Sequence, residues 1–132
     1  DADLKYEIYT SMMKTWGLRV LDRPNAHNPA PLPSSVTMAN LASLTPDAFV
    51  ATLKVDGRRM QLFLCNIRNQ NKAYLVTRKN DMYEIHVCAH ESHYTNGLIV
   101  DGELAWAESE KDEDSGILRY YAFDLFAHGG KP

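Results

Sequence analysis

From residue 49 onward the chain is built of short runs rich in β-branched, aromatic and aliphatic residues, interrupted by polar turns. That rhythm limits its fold more than any other feature. Residues 49–55 and 59–66 flank Asp56-Gly57, a dipeptide that favours a tight hairpin. Residues 72–77 and 82–87 flank Arg78-Lys79-Asn80-Asp81, and residues 98–106 and 117–126 flank an acidic run at 108–114. Three hairpins in succession predict a mostly antiparallel sheet, with the acidic run as a solvated loop.

The first part of the chain is different. Leu4, Ile8, Met12 and Trp16 recur at helical spacing, which predicts an amphipathic helix over 4–16. Pro24, Pro29, Pro31 and Pro33 then make residues 22–36 an extended surface loop, because proline neither continues a helix nor donates to a ladder. Thr37 is placed to cap a short helix over 38–44, and Thr45-Pro46-Asp47 starts another turn. The expected class is α+β, a mostly antiparallel sheet with short helices. Residues 1–36 form a helix and proline-rich lead-in, and residues 37–132 form a β-rich core.

Composition narrows the function. Of 132 residues, 45% are hydrophobic and 23% charged, the balance of a globular domain rather than a disordered chain. No apolar run approaches a membrane span, and the N-terminus lacks a signal-peptide pattern. Cys65 and Cys88 are too few for a disulfide framework, so a reducing intracellular compartment is expected, nucleus and cytoplasm being equally open. A net charge of −3 argues against a general nucleic-acid coat protein but leaves room for a nucleotide site with a few placed arginines.

Charge is concentrated at one point. Lys54-Val55-Asp56-Gly57-Arg58-Arg59 sets a lysine at the end of an apolar run, with an acid, a glycine and two arginines behind it. Taken alone, Lys54 is a strand-end lysine reaching solvent. An amine with an ordinary pKa near 10.4 is a poor nucleophile at neutral pH, and it needs desolvation or nearby positive charge to attack. Further on, Asp101 and Glu103 alternate with Val100, Gly102 and Leu104, so both carboxylates share one strand face, where a cation or hydrogen-bond donors must meet them. His86, Cys88, His90 and His93 have a spacing that could serve a metal, but no partner pair with zinc-like spacing exists. A strand edge with solvated histidines is expected there.

These segments resemble, in order, the motifs of the covalent nucleotidyltransferases, the superfamily of mRNA capping guanylyltransferases and ATP-dependent polynucleotide ligases. Lys54–Arg59 resembles the nucleophile motif Lys-x-Asp-Gly-x-Arg; residues 73–83 resemble a segment whose arginine approaches the ribose. Residues 96–104, ending Asp101-Gly102-Glu103-Leu104, and residues 121–125, containing Phe123, resemble the third and fourth. The resemblance implies part of a nucleotidyltransferase (ATP-grasp-like) domain, spanning about Pro31 to Phe126. It implies Lys54 as the nucleophile, Asp56 and Gly57 near the phosphate, and Arg59 and Arg78 near the ribose. Glu103 would contact ribose or metal, with Asp101 supporting the turn, and Phe123 would stack on the purine, with Tyr121 as fallback. Mg²⁺ or Mn²⁺ would be the cofactor.

Thr52 stands where ligases of this superfamily commonly carry a glutamate; a hydroxyl donates to the guanine oxygen and a carboxylate cannot. With the lead-in around Pro31-Leu32-Pro33, this favours guanylyl transfer from GTP to the 5′ end of RNA over ligation. The resemblance also implies a C-terminal half and an OB domain beyond these motifs, supplied by another chain or lost. A non-catalytic nucleotide-binding or docking module is the alternative of another class.

Overall fold

The computed structural model describes residues 1–20, 28–109, 112–129 and 131. Helix α1 (Ala2–Thr15) opens the chain, with Asp1 accepting from the Asp3 N–H as its N-cap. Five antiparallel strands follow, β1 (Arg58–Ile67), β2 (Gln70–Val76), β3 (Met82–Ile85), β4 (Leu98–Ser109) and β5 (Asp112–His128), with helix α2 (Glu91–Asn96) before β4. They form one sheet in the order β3-β2-β1-β4-β5. The class is α+β, as the sequence predicts.

Strand alternation decides which residues meet. On one face Phe63, Cys65 and Ile67 of β1, Tyr74 and Val76 of β2, Ile99 of β4 and Ala127 of β5 are buried under Ile8, Tyr9, Met12 and Met13 of α1. Met12, Phe63, Val76 and Ile99 are fully buried, so this is the main core. On the other face Leu64 and Ala73 pack with Tyr94 of α2, whose hydroxyl donates to the Val87 carbonyl.

Two predicted hairpins are present: β2 with β3, and β4 with β5. The third is not. Residues 49–55 form no strand, and Phe49 (52% exposed), Val50 (89%) and Leu53 (93%) lie open to solvent. A period-two pattern records that a segment fits a pleated surface, but a strand exists only when a neighbour takes its hydrogen bonds. No described residue does so here. The turn that does join β1 to a partner is Arg68-Asn69, with φ of 51° and 61°, so β1 and β2 form a two-residue hairpin that lacks the usual glycine signal.

Smaller differences follow the same logic. Residues 38–44 hold only a 3₁₀ turn at Leu41–Ser43. Residues 28–36 are irregular as expected, while the part of the loop at 21–27 lies outside the described residues, as do Glu110 and Lys111 of the acidic run. Strand β3 stops at Ile85, so the histidine-rich stretch is not a strand edge. His90 instead caps α2, accepting from the Ser92 N–H at 3.3 Å, and Gly97 at φ 81° follows its last residue.

Candidate functional site

The charged residues gather at the end of the sheet where β1 begins. Arg59, two residues before Gln61 and four before Phe63, lies on the core-bearing face, opposite Glu103 in the β1–β4 register. Asp101, two residues from Glu103, shares that face. The Arg59 Nε donates to both Asp101 oxygens at 3.0 and 3.2 Å, and Nη2 donates to Oδ2 at 2.7 Å. Nη1 donates to the Pro31 carbonyl at 2.7 Å. Asp101 is 3% exposed and also accepts from the Gly102 N–H at 3.1 Å. A buried carboxylate needs such pairing, and the guanidinium fork supplies it bidentately. The same hydrogen bonds hold the Arg59 pKa above its usual value, so its charge is fixed. Asp101 therefore anchors Arg59 within a strand, where the sequence reading had it supporting a turn.

The proline-rich segment is tied across this end. Besides the Pro31 contact, Asn28 Nδ2 donates to Gln61 Oε1 at 2.6 Å, and the Ala30 N–H donates to Asn28 Oδ1 at 2.9 Å. Pro31, Leu32 and Pro33 thus become one wall of a cavity of about 290 Å³, with Arg59, Asp101, Glu103, Phe123, Asp124 and Phe126 forming the rest.

Two irregularities in β5 bring its aromatics into that cavity. Gly102 pairs with Ala122 but Asp101 pairs with Asp124, leaving Phe123 as an extra residue. Val100 pairs with Leu125 but Ile99 pairs with Ala127, leaving Phe126 as another. Phe123 and Phe126 are three apart, so an unbroken strand would set them on opposite faces. Each bulge re-aims one side chain, and both rings line the same cavity. Phe123 remains 44% exposed, a ring offered to the cavity rather than consumed by core packing. Tyr121, the alternative platform, sits opposite Glu103 and outside the lining.

One atom of the site lacks a partner. Glu103 Oε2 is buried with no hydrogen-bond partner among the described residues, although its chain neighbour Asp101 is fully engaged. A buried carboxylate oxygen left open calls for a hydroxyl donor or a cation. The cavity therefore offers a flat apolar face, a fixed cation with N–H groups to spare, and an unsatisfied acceptor.

The mRNA capping enzyme catalytic-domain family model matches residues 3–132. The chain belongs to that family. Among curated proteins none matches it.

The remaining motif residues of this capping-enzyme domain are less gathered. Lys54, Asp56, Thr52 and Arg78 are all exposed and outside the cavity lining. Lys54 Nζ pairs with Asp56 Oδ1 at 2.5 Å, with 87% and 89% of the two side chains exposed. The Asp56 hydrogen bond and charge, and more weakly Glu103, raise the Lys54 pKa, and Lys54 lowers that of Asp56. The strand expected to end at Lys54 is not formed, and without it Lys54 stays solvated and protonated. Gly57 is needed for space, because a Cβ there would lie 2.5 Å from the Leu104 carbonyl oxygen and 2.8 Å from the Ala105 Cβ. Arg78 occupies the β2–β3 turn. His86, Cys88 and His90 are exposed, and no three metal-ligating side chains converge among the described residues.

The residues missed from sequence are Pro31, through its carbonyl, and Phe126. Only the density of prolines before the motif hinted at the first. Nothing in an uninterrupted β pattern reveals the bulge that delivers the second.

Proposed function

We propose that this capping-enzyme domain is an mRNA guanylyltransferase: it takes GMP from GTP onto Lys54 and passes it to a 5′-diphosphate RNA end. The observation that carries the reading is the cavity in which Arg59, Glu103 with its open oxygen, and Phe123 converge under the proline-rich wall. The purine stacks on Phe123, the ribose hydroxyls meet Arg59 and Glu103, and Thr52 donates to the guanine oxygen. In the first step Lys54 Nζ bonds to the α-phosphorus, the bond to the bridging oxygen breaks, and pyrophosphate leaves. In the second a terminal phosphate oxygen of the RNA displaces the lysine, which recovers its amine.

Lys54 must lose a proton before it attacks, and its pairing with Asp56 opposes this. Activation therefore requires that pairing to open and the amine to be covered as the nucleotide and the rest of the domain close over it. We place that covering surface in a C-terminal half with its OB domain, provided from outside this stretch. Glu103 is the residue suited to hold Mg²⁺ or Mn²⁺, since its free oxygen is an oxygen donor of the kind these ions take. When bound, the ion offsets charge on the phosphates.

The exposed, protonated Lys54 favours a second reading, a nucleotide-binding module without transfer; an ATP-dependent ligase is the third. Incubation with GTP or ATP labelled at the α-phosphate, with Mg²⁺ or Mn²⁺, followed by a denaturing gel, separates them. Label from GTP, absent in Lys54→Ala, is the expected result, with the C-terminal half added. Label from ATP points to a ligase, and binding without label to the module.

A further inference from the structure

Phe126 belongs to no motif, yet it touches the one side chain on which the cavity is built. The Arg59 guanidinium carbon lies 5.9 Å from the centre of the Phe126 ring, over its face. Trp16, the C-cap of α1, packs against the same ring, its centroid 5.2 Å away and its plane tilted by 35°. The hydrogen bonds to Asp101 and Pro31 all lie at the edge of the guanidinium, so they fix it within its own plane. They resist rocking out of that plane poorly. Attraction between the cation and the π-cloud of the ring beneath it opposes that movement.

We propose that Phe126 is a positioning residue for nucleotide binding, and that it acts through Arg59. A guanidinium has five N–H groups. Asp101 and Pro31 take one from each nitrogen, so one remains on Nη1 and one on Nη2 for a ligand. Both sit on a rigid plane, and their direction follows the tilt of that plane. Trp16 at the end of α1 packs against the Phe126 ring, which makes the helix end a support of the nucleotide site although no α1 residue lines the cavity. The second bulge in β5 is what places Phe126 here. This inference rests on the reading of Arg59 as a nucleotide contact.

The test is a double-substitution cycle on GTP affinity, measured by equilibrium binding of labelled GTP with Mg²⁺ to the parent chain, Phe126→Leu, Arg59→Lys and the pair. Leucine keeps apolar bulk and removes the ring. Phe126→Leu should weaken binding roughly 3- to 20-fold, the range of a cation–π contact. Phe126→Tyr should restore it. In the Arg59→Lys background, where the planar fork is already gone, Phe126→Leu should change little. An equal loss in both backgrounds would show that Phe126 acts on the base or on the fold, and would overturn the proposal. So would a parent-like affinity in Phe126→Leu. A parent chain that binds no GTP refutes the nucleotide-site reading itself, and this inference with it. An independent readout is the Arg59 Nε–H proton resonance without ligand. It should be sharp and shifted by the ring in the parent and lose that shift in Phe126→Leu; no change overturns the stack.

Discussion

Asp101→Asn is the substitution that best tests how the site is held. In the parent, Asp101 is 3% exposed and accepts from the Nε and Nη2 of Arg59 and from the Gly102 N–H. Breaking a buried ion pair by removing one partner costs about 3–5 kcal/mol. Two facts reduce that here. Arg59 keeps 29% of its side chain in water, so part of its charge is re-solvated. Asparagine also keeps one carbonyl oxygen for either a guanidinium N–H or the Gly102 N–H. The expected loss is then about 2 kcal/mol, from the discounted pair and one hydrogen bond of about 1 kcal/mol. With unfolding entropy scaling with chain length, this lowers Tm by about 7 °C. Urea unfolding followed by circular dichroism gives the free energy, and thermal unfolding gives the shift. Replacing both partners by apolar residues, Arg59→Met with Asp101→Leu, should cost less than the sum of the two single changes, because no charge is left stranded. A loss below about 0.5 kcal/mol in Asp101→Asn would refute the reasoning. Strict additivity in the double variant would refute it as well.

Three other outcomes are expected. Phe123→Ala should weaken GTP binding by about 1–3 kcal/mol, the scale of stacking one base, while thermal unfolding barely moves, because the ring is half exposed in the free protein. Asp56 raises the Lys54 pKa, so Asp56→Asn should shift the rising limb of the labelling rate against pH to lower pH; an unmoved or upward-shifted limb counts against that pairing. Burial pushes the Cys65 thiol up to about 12, whereas Cys88 is exposed. A thiol reagent at pH 8 should therefore modify one cysteine in the folded protein and two after denaturation, and two fast-reacting thiols in the native state would contradict the fold.

Much of the frame was legible because its signals are local. Leu4, Ile8, Met12 and Trp16 encode α1, and three of the five strands lie within two residues of predicted runs, while β4 runs three residues further and β5 begins earlier, both inside the acidic stretch. The clustering of Arg59, Glu103 and Phe123 was legible only through the family resemblance, since nothing local reports a register between β1 and β4. What failed depended on neighbours. The run at 49–55 has the composition of a strand and no described partner, and α2 starts on a histidine, a cap the usual residue preferences do not announce. The role of Asp101 hid behind that of Glu103, because two acids alternating on a strand look equivalent until one is seen facing an arginine.

The paired bulges of β5 bear on how this chain tolerates insertions and deletions. Each one reverses the in-out phase of the strand, and the second cancels the first, which is why Ala127 returns to the core beside Ile99 and His128 pairs with Leu98. Losing one residue between Phe123 and Phe126 would leave the reversal uncorrected, turning either the cavity aromatics or the core end of β5 to the wrong side. Losing one residue at each bulge would keep the reading frame of the strand and the core intact, while removing both rings from the cavity. In this stretch a two-residue deletion is therefore the gentler lesion for folding and the harsher one for the site.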